Sequence, residues 1–312
     1  MALQAFSVPA QARRPRLTFR QWESISGWLM VAPWVLGFVL FTAGPMLASI
    51  AISFTKWDLV RPPQWVGLDN YVTMATGDPK VAQSMRVTTV YAFVSVPLSV
   101  ALGLLVALLL NEKIKLESFV RTVFYLPSVV SGVAVALLWR WIFAADFGLI
   151  NSFLALIGIQ GPAWLSDSRT ALPALIIMSL WGVGGGMIIY LAGLQSVPTE
   201  LYEAAELDGA SALHRFWRIT VPMVSPVIFF QTVMGIIGAL QTFTQAYIMT
   251  DGGPKNATLF YLLYLYRNAF QYFNMGYASA LAWLLFVYIL VLTLLLLRSS
   301  SSWVYYEGGL RR

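Results

Sequence analysis

The chain has 312 residues, of which 58% are hydrophobic and 11% charged, and it carries a net charge of +6. A soluble domain of this size has about a quarter of its residues charged, so there are too few here to coat a globule, and lipid is the expected solvent for much of the surface. Cysteine is absent and His214 is the single histidine, which removes disulfide frameworks and thiolate metal sites and leaves little for metal or acid–base chemistry.

Residues 1–26 have no apolar core of a signal peptide and contain Arg13, Arg14, Arg16 and Arg20, so they read as a basic cytoplasmic tail. Without interleaved aromatics, these arginines do not suggest a nucleic-acid arm. A spanning helix needs about 20 mostly apolar residues. Six segments meet this: 27–54, 87–110, 119–143, 172–197, 222–250 and 276–297. Residues 147–159 are too short to cross and read as a helix lying at the outer interface, ended by Gly161-Pro162. Ser299–Ser302 reads as a polar stop, and 298–312 as a cytoplasmic C-terminal tail. The expected fold class is therefore an all-α integral membrane protein with six transmembrane helices.

Placing the N-terminus inside puts 12 of the 20 lysines and arginines on inner segments, Lys113 and Lys115 among them, and 8 on outer ones. This bias has the sign of the positive-inside rule, and six spans return the C-terminus to the cytoplasm. Trp57, Trp65, Trp139, Trp141 and Trp164 fall near outer ends and Trp28 and Trp303 near inner ones, as an aromatic belt does.

Between the fourth and fifth spans lies a polar island, Glu203-Ala204-Ala205-Glu206-Leu207-Asp208-Gly209, followed by Ile219 and Val221-Pro222. Thr199 is placed to cap a helix whose first turn holds Glu200 and Glu203, where acids suit the helix dipole. Ala204 and Ala205 permit close packing against a partner. Gly209 can break the helix in a conformation other residues resist. Ser211 is placed to cap a second short helix running to Ile219, and Pro222 suits the first turn of the fifth span. The product is a helix–turn–helix lying across the membrane surface.

The pattern EAA-x3-G-x9-I-x-x-P in a cytoplasmic loop resembles the coupling loop of permease subunits of bacterial ABC importers. The family often has leucine before the proline, where Val221 stands here. The stretches Val66-Gly67-Leu68-Asp69-Asn70-Tyr71, Arg121-Thr122-Val123-Phe124-Tyr125-Leu126-Pro127 and Gly252-Gly253-Pro254 are similar to those of carbohydrate importer permeases. Together they cover about 27–297 and most resemble the first permease subunit of maltose-, oligosaccharide- and glycerol-phosphate-type systems. The resemblance implies a type I ABC importer permease fold, with a core transmembrane region at about 84–297. It implies that Glu203, Ala204, Ala205, Asp208, Gly209, Ile219 and Pro222 couple the chain to an ATPase. It also implies a second homologous permease, two copies of the ATPase, an extracytoplasmic sugar-binding protein, and a bacterial inner-membrane location.

There is no G-x-x-x-x-G-K-[ST] loop, so ATP and magnesium are expected on the partner ATPase, with no cofactor and no catalytic residue in this chain. Sugars need hydrogen-bonding groups and aromatic faces in an apolar channel. Trp181, Gly182 and Gly185 on the fourth span, and Gly235, Ala239, Gln241, Thr242 and Gln245 along the fifth, are the candidates for the substrate path. In maltose-type permeases the stretches matching 182–185 and 235–239 contact sugar. For Gln241, Thr242 and Gln245, hydrogen bonding between helices is the competing role. A self-sufficient secondary carrier would be expected to place ionisable groups inside its spans, and these are almost free of them.

Overall fold

In a computed structural model, residues 18–112 and 116–305 are described. The parts of the basic tails in 1–17 and 306–312, and Lys113 and Lys115 in the loop after the second span, lie outside the described residues. The chain forms two compact units, divided between Ala51 and Ile52.

The first unit is helix α1 (Phe19–Phe38), a wide π turn over Val39–Ala43, and most of α2 (Gly44–Ser53), which form one 35-residue apolar run. Helix α1 begins eight residues before the expected span because Thr18 and Gln21 close a capping box. The wide turn sits just before Pro45, which has no N–H to give, and the Gly44 N–H reaches back to the Val39 carbonyl instead. A Cβ on Gly44 would stand 2.8 Å from that carbonyl oxygen. No residue of α1 is buried in the described chain.

The second unit opens with an antiparallel pair of two-residue strands, β1 (Thr55–Lys56) and β2 (Gln64–Trp65), the one sheet among the described residues. Asn70, in the short helix α3 (Asp69–Val72), holds this corner by donating to the carbonyls of Ser53 and Thr55 at 2.8 and 2.9 Å. After a wide turn at Thr73–Gly77 comes α4 (Pro79–Asn111), capped by the Asp78 side chain on the Lys80 N–H. Its buried residues, from Val81 through Ser84, Thr88, Ala92, Ser95, Gly103 and Ala107 to Leu110, follow helical spacing. Many of them are small, so neighbouring helices approach closely. Helix α4 is the hub, packing on α8, α9, α12 and α13.

Helices α5 (Glu117–Val129) and α6 (Gly132–Ile142) occupy the expected third span, but they meet at 100°. The third span is therefore a broken pair of helices and not one continuous helix. Val130 and Ser131 leave the helical conformation between them, after Pro127. Helix α7 (Leu149–Leu156) is the expected short helix, and it ends near Gly158 in the left-handed region rather than at Gly161-Pro162.

The fourth span is α8 (Ala171–Leu180) and α9 (Gly184–Gln195), bent by 46°. A Cβ on Gly184 would lie 1.7 Å from the Phe124 carbonyl oxygen, so this glycine lets α9 start against the backbone of α5. Helices α10 (Thr199–Leu207) and α11 (Ala212–Arg215) form the expected helix–turn–helix. A wide turn at Phe216–Thr220 then joins α11 to α12 (Val221–Leu240) as one 29-residue run. It precedes Pro222 as the earlier one precedes Pro45, and Val221 donates to Phe216.

Helix α12 stops at Leu240, ten residues short of the expected end. Gln241 and Thr242 donate to the Gly238 and Ala239 carbonyls at 3.1 and 3.2 Å, tightening the last turn. A wide turn at Ala246–Thr250, then α13 (Tyr261–Tyr266), a further wide turn at Arg267–Gln271 and α14 (Met275–Trp303) complete the chain. The four serines do not stop α14, because each hydroxyl donates to a carbonyl three residues back and stays within the helix. Four runs are thus long and apolar enough to cross a membrane, and the two bent pairs bring the number to six.

Candidate functional site

A cavity of about 360 Å³ opens among α4, α8, α9 and α12. Helix α4 contributes Tyr91, Ser95 and Ser99, one per turn on one face. Helix α8 contributes Ser179, and the bend after it Gly182 and Val183. Helix α9 contributes Gly186 and Tyr190, and α12 contributes Gln231, Gly235 and Ala239. Thr242 and Gln245, just past the end of α12, close one side. The lining mixes hydroxyl and amide groups with apolar ones and carries no charged side chain. The Tyr91 hydroxyl lies beside the hydroxyls of Ser179 and Thr242.

Of the substrate-path candidates, Gly182, Gly235, Ala239, Thr242 and Gln245 come together on this cavity, while Trp181, Gly185 and Gln241 do not. Trp181 stands edge-on to Trp139 with ring centres 6.2 Å apart. Gly185 packs on α5, where a Cβ would lie 3.3 Å from the Ser128 Cβ. Gln241 donates to the Ile237 carbonyl at 3.2 Å. Sequence reasoning missed Tyr91, Ser95, Ser99, Ser179, Tyr190 and Gln231. The four-residue spacing of Tyr91, Ser95 and Ser99 was a readable signal, since it draws a polar stripe down an otherwise apolar helix.

The helix–turn–helix forms a second locus. Pro198, not Thr199, is the N-cap of α10, and Thr199 is its first helical residue. Helix α10 ends in a Schellman motif: Ala210 donates to Ala205 at 2.9 Å and Gly209 to Glu206 at 3.0 Å, with Gly209 at φ +76°. The Ser211 hydroxyl caps α11 by accepting from the His214 N–H at 3.3 Å. Arg215 pairs with Glu206 across the turn, and Tyr202 bonds Thr220 at 2.9 Å.

These contacts leave one face free. Glu203, Ala204, Asp208 and Gly209 are exposed, and Ala205 is half-buried. Glu203 makes no hydrogen bond or ion pair with another described residue. Ile219 turns inward against the cluster around Leu194 and Val224. Pro222 is the second residue of α12, in its first turn as expected, although the helical run through it begins ten residues earlier, at Ala212. Leu207, 91% exposed, with Leu213 and Trp217, adds an apolar component to this face that sequence reasoning did not single out.

The chain belongs to the family of binding-protein-dependent transport system inner membrane components, whose pattern matches residues 99–305. It is a multi-pass membrane protein with the type I permease fold. It is 46% identical over 290 residues to the probable ABC transporter permease protein YesP of Bacillus subtilis (strain 168), covering 92% of this chain and 94% of that one. It is 34% identical to the lactose transport system permease protein LacF of Rhizobium radiobacter, covering 91% of this chain and 97% of that one. A bacterial alginate ABC transporter, solved with an alginate pentasaccharide-bound periplasmic protein, superposes with a TM-score of 0.79. The two are 26% identical, and the match covers 90% of this chain and 97% of that one.

Proposed function

We propose that this chain is the permease subunit of an ATP-driven carbohydrate importer, and that it couples to its ATPase through the 199–222 loop. The observation that carries this reading is mechanical. The helical run Ala212–Leu240 begins at the projecting turn and ends on the cavity, so Gln231, Gly235 and Ala239 ride on the same rod as the loop. A displacement imposed on the turn can thus be passed along one continuous helical run to the cavity wall. The cavity offers neutral hydroxyl and amide groups, which suit sugar hydroxyls.

On this reading the exposed α10 face docks on an ABC ATPase. Glu203 supplies a charge-assisted contact, and Gly209 holds the turn. Two ATPase copies bind ATP and magnesium, a second homologous permease completes the path, and an extracytoplasmic sugar-binding protein delivers the substrate. The chain itself is not an enzyme. Both termini and the 199–222 loop face the cytoplasm. The permease domain is read as 27–297 between the tails 1–26 and 298–312, with α1 beginning within the first tail and α14 ending within the second.

The test is a pull-down of the tagged chain from its native host in mild detergent, with ATPase activity assayed on the eluate and sugar uptake assayed in cells. Recovery of a second permease and an ATPase, with uptake abolished by Glu203→Lys, is the expected result. A lone protein that still moves sugar into liposomes without ATP would overturn the reading.

A further inference from the structure

Two polar side chains on the cavity have no partner in the described chain, and they converge on one glycine. Tyr190 is 1% exposed, and its hydroxyl is enclosed without a hydrogen-bond partner among the described residues. A buried hydroxyl left in this state is costly, and most are paired. The Gln231 amide likewise makes no hydrogen bond to a described residue. The two meet at Gly186, where an added Cβ would lie 2.4 Å from the Gln231 Nε2 and 3.7 Å from the Tyr190 ring. Gly186 thus lets the Gln231 amide lie directly against the α9 backbone beside the Tyr190 ring, and both side chains belong to the cavity lining.

This place is distinct from the path residues foreseen from sequence. Gln231 lies one turn nearer the 199–222 loop than Gly235 on α12, and Tyr190 lies two turns beyond Gly182 towards the same loop. No cation or carboxylate lines the cavity, so the group that satisfies this pair is an uncharged one that both donates and accepts. A sugar hydroxyl fits that description.

We infer that Tyr190 and Gln231 form a hydroxyl-binding position at the loop end of the cavity, where a neutral sugar is held on its way past the point reached from Gly182 and Gly235. This inference rests on the proposed importer function. Gly186 is a glycine there because a side chain would push the Gln231 amide out of this position. An apolar wall at this depth would give the sugar no replacement for the water it leaves behind, whereas this pair provides hydrogen bonds.

The test uses the whole transporter, with its binding protein, reconstituted in proteoliposomes and supplied with a defined mixture of lactose, trehalose, maltose, maltotriose and arabinotriose. Sugar imported and ATP hydrolysed are both measured. Tyr190→Phe removes only the hydroxyl, Gln231→Leu removes the amide at similar size, and Gln231→Asn keeps the amide. The expected result is a fall of about five- to tenfold in sugar imported per ATP for Tyr190→Phe and Gln231→Leu, the size of one lost hydrogen bond. Gln231→Asn should recover part of it, which a merely structural role would not produce. An unchanged ratio in both variants, with the unaltered transporter importing sugar, would overturn this inference alone. If the unaltered transporter imports none of the mixture with ATP, the importer reading falls and this inference falls with it.

Discussion

Tyr277, near the start of α14, donates its hydroxyl at 2.7 Å to Oδ2 of Asp78, the residue that caps α4 nearly two hundred positions earlier in the chain. Tyr264 of α13 donates to the same oxygen, while Oδ1 accepts from the Lys80 N–H at 3.0 Å. One carboxylate therefore ties three helices together at the end of the bundle away from the 199–222 loop. Burial, and then the neighbouring carboxylate, hold the Tyr264 hydroxyl above the ordinary tyrosine range, so it stays a donor.

Asp78→Ala should destabilise the purified protein by about 2–4 kcal/mol, because it removes a cap and leaves two hydroxyls without their acceptor. Tyr277→Phe should cost about 1 kcal/mol, since Asp78 keeps its other donors. Thermal unfolding in detergent, followed by tryptophan fluorescence, ranks the two variants. Equal effects would show that the carboxylate is not shared in this way.

The adjacent glycines of α9 should respond in opposite ways to alanine. At Gly184 the new Cβ would meet backbone, the Phe124 carbonyl at 1.7 Å, which has no flexible end to move aside. Gly184→Ala should cost about 3 kcal/mol or more, or prevent accumulation in the membrane. At Gly185 the nearest atom is the Ser128 Cβ at 3.3 Å, and alanine gains helix propensity over glycine by about 1 kcal/mol. Gly185→Ala should therefore remain near neutral. Membrane abundance and melting temperature of the pair decide this.

This contrast also explains what the chain discloses by itself. The spans are legible because a run of about 20 apolar residues is a local signal. The loop is legible because the glycine at 209 and the serine at 211 each act on their own backbone. The bends are not legible, because they arise between distant segments. Nothing near Gly184 says that Phe124 will lie against it, and Pro127 marks a break near Val130 without setting its angle at 100°. The cavity was half legible for the same reason. Gly182, Gly235 and Thr242 were found by reading the expected fourth and fifth spans with the resemblance to sugar permeases, whereas Tyr91, Ser95 and Ser99 matter because α4 is the helix the others pack around. Trp181 and Gly185 flank the bend at Gly182, but the Trp181 ring turns to Trp139 and the Gly185 backbone packs on α5.

The pair of Glu206 and Arg215 braces the loop at its surface, where Glu206 is 61% exposed. An exposed pair contributes about 0–1 kcal/mol, so Glu206→Gln should leave the melting temperature almost unchanged. Its effect should appear in the loop alone, as faster protease cleavage between α10 and α11. Global destabilisation would mean that the pair supports more than the turn.

Gly209 offers the sharpest separation of turn from bulk. Its φ of +76° lies where a side chain is strained, yet no described atom lies within 4 Å of its Cβ position, so any penalty comes from the backbone and not from crowding. Gly209→Ala should cost about 1 kcal/mol locally, and Gly209→Asn less, because asparagine tolerates the left-handed region better. A bulky β-branched residue meets the same open space with a worse backbone preference, so Gly209→Val should be the poorest of the three. If the turn is the docking element, uptake should decline in the order Asn, Ala, Val, while the amount of ATPase recovered with the permease follows the same order. An order set by side-chain size, with asparagine as poor as valine, would place the fault in steric exclusion by a partner and not in the geometry of the turn.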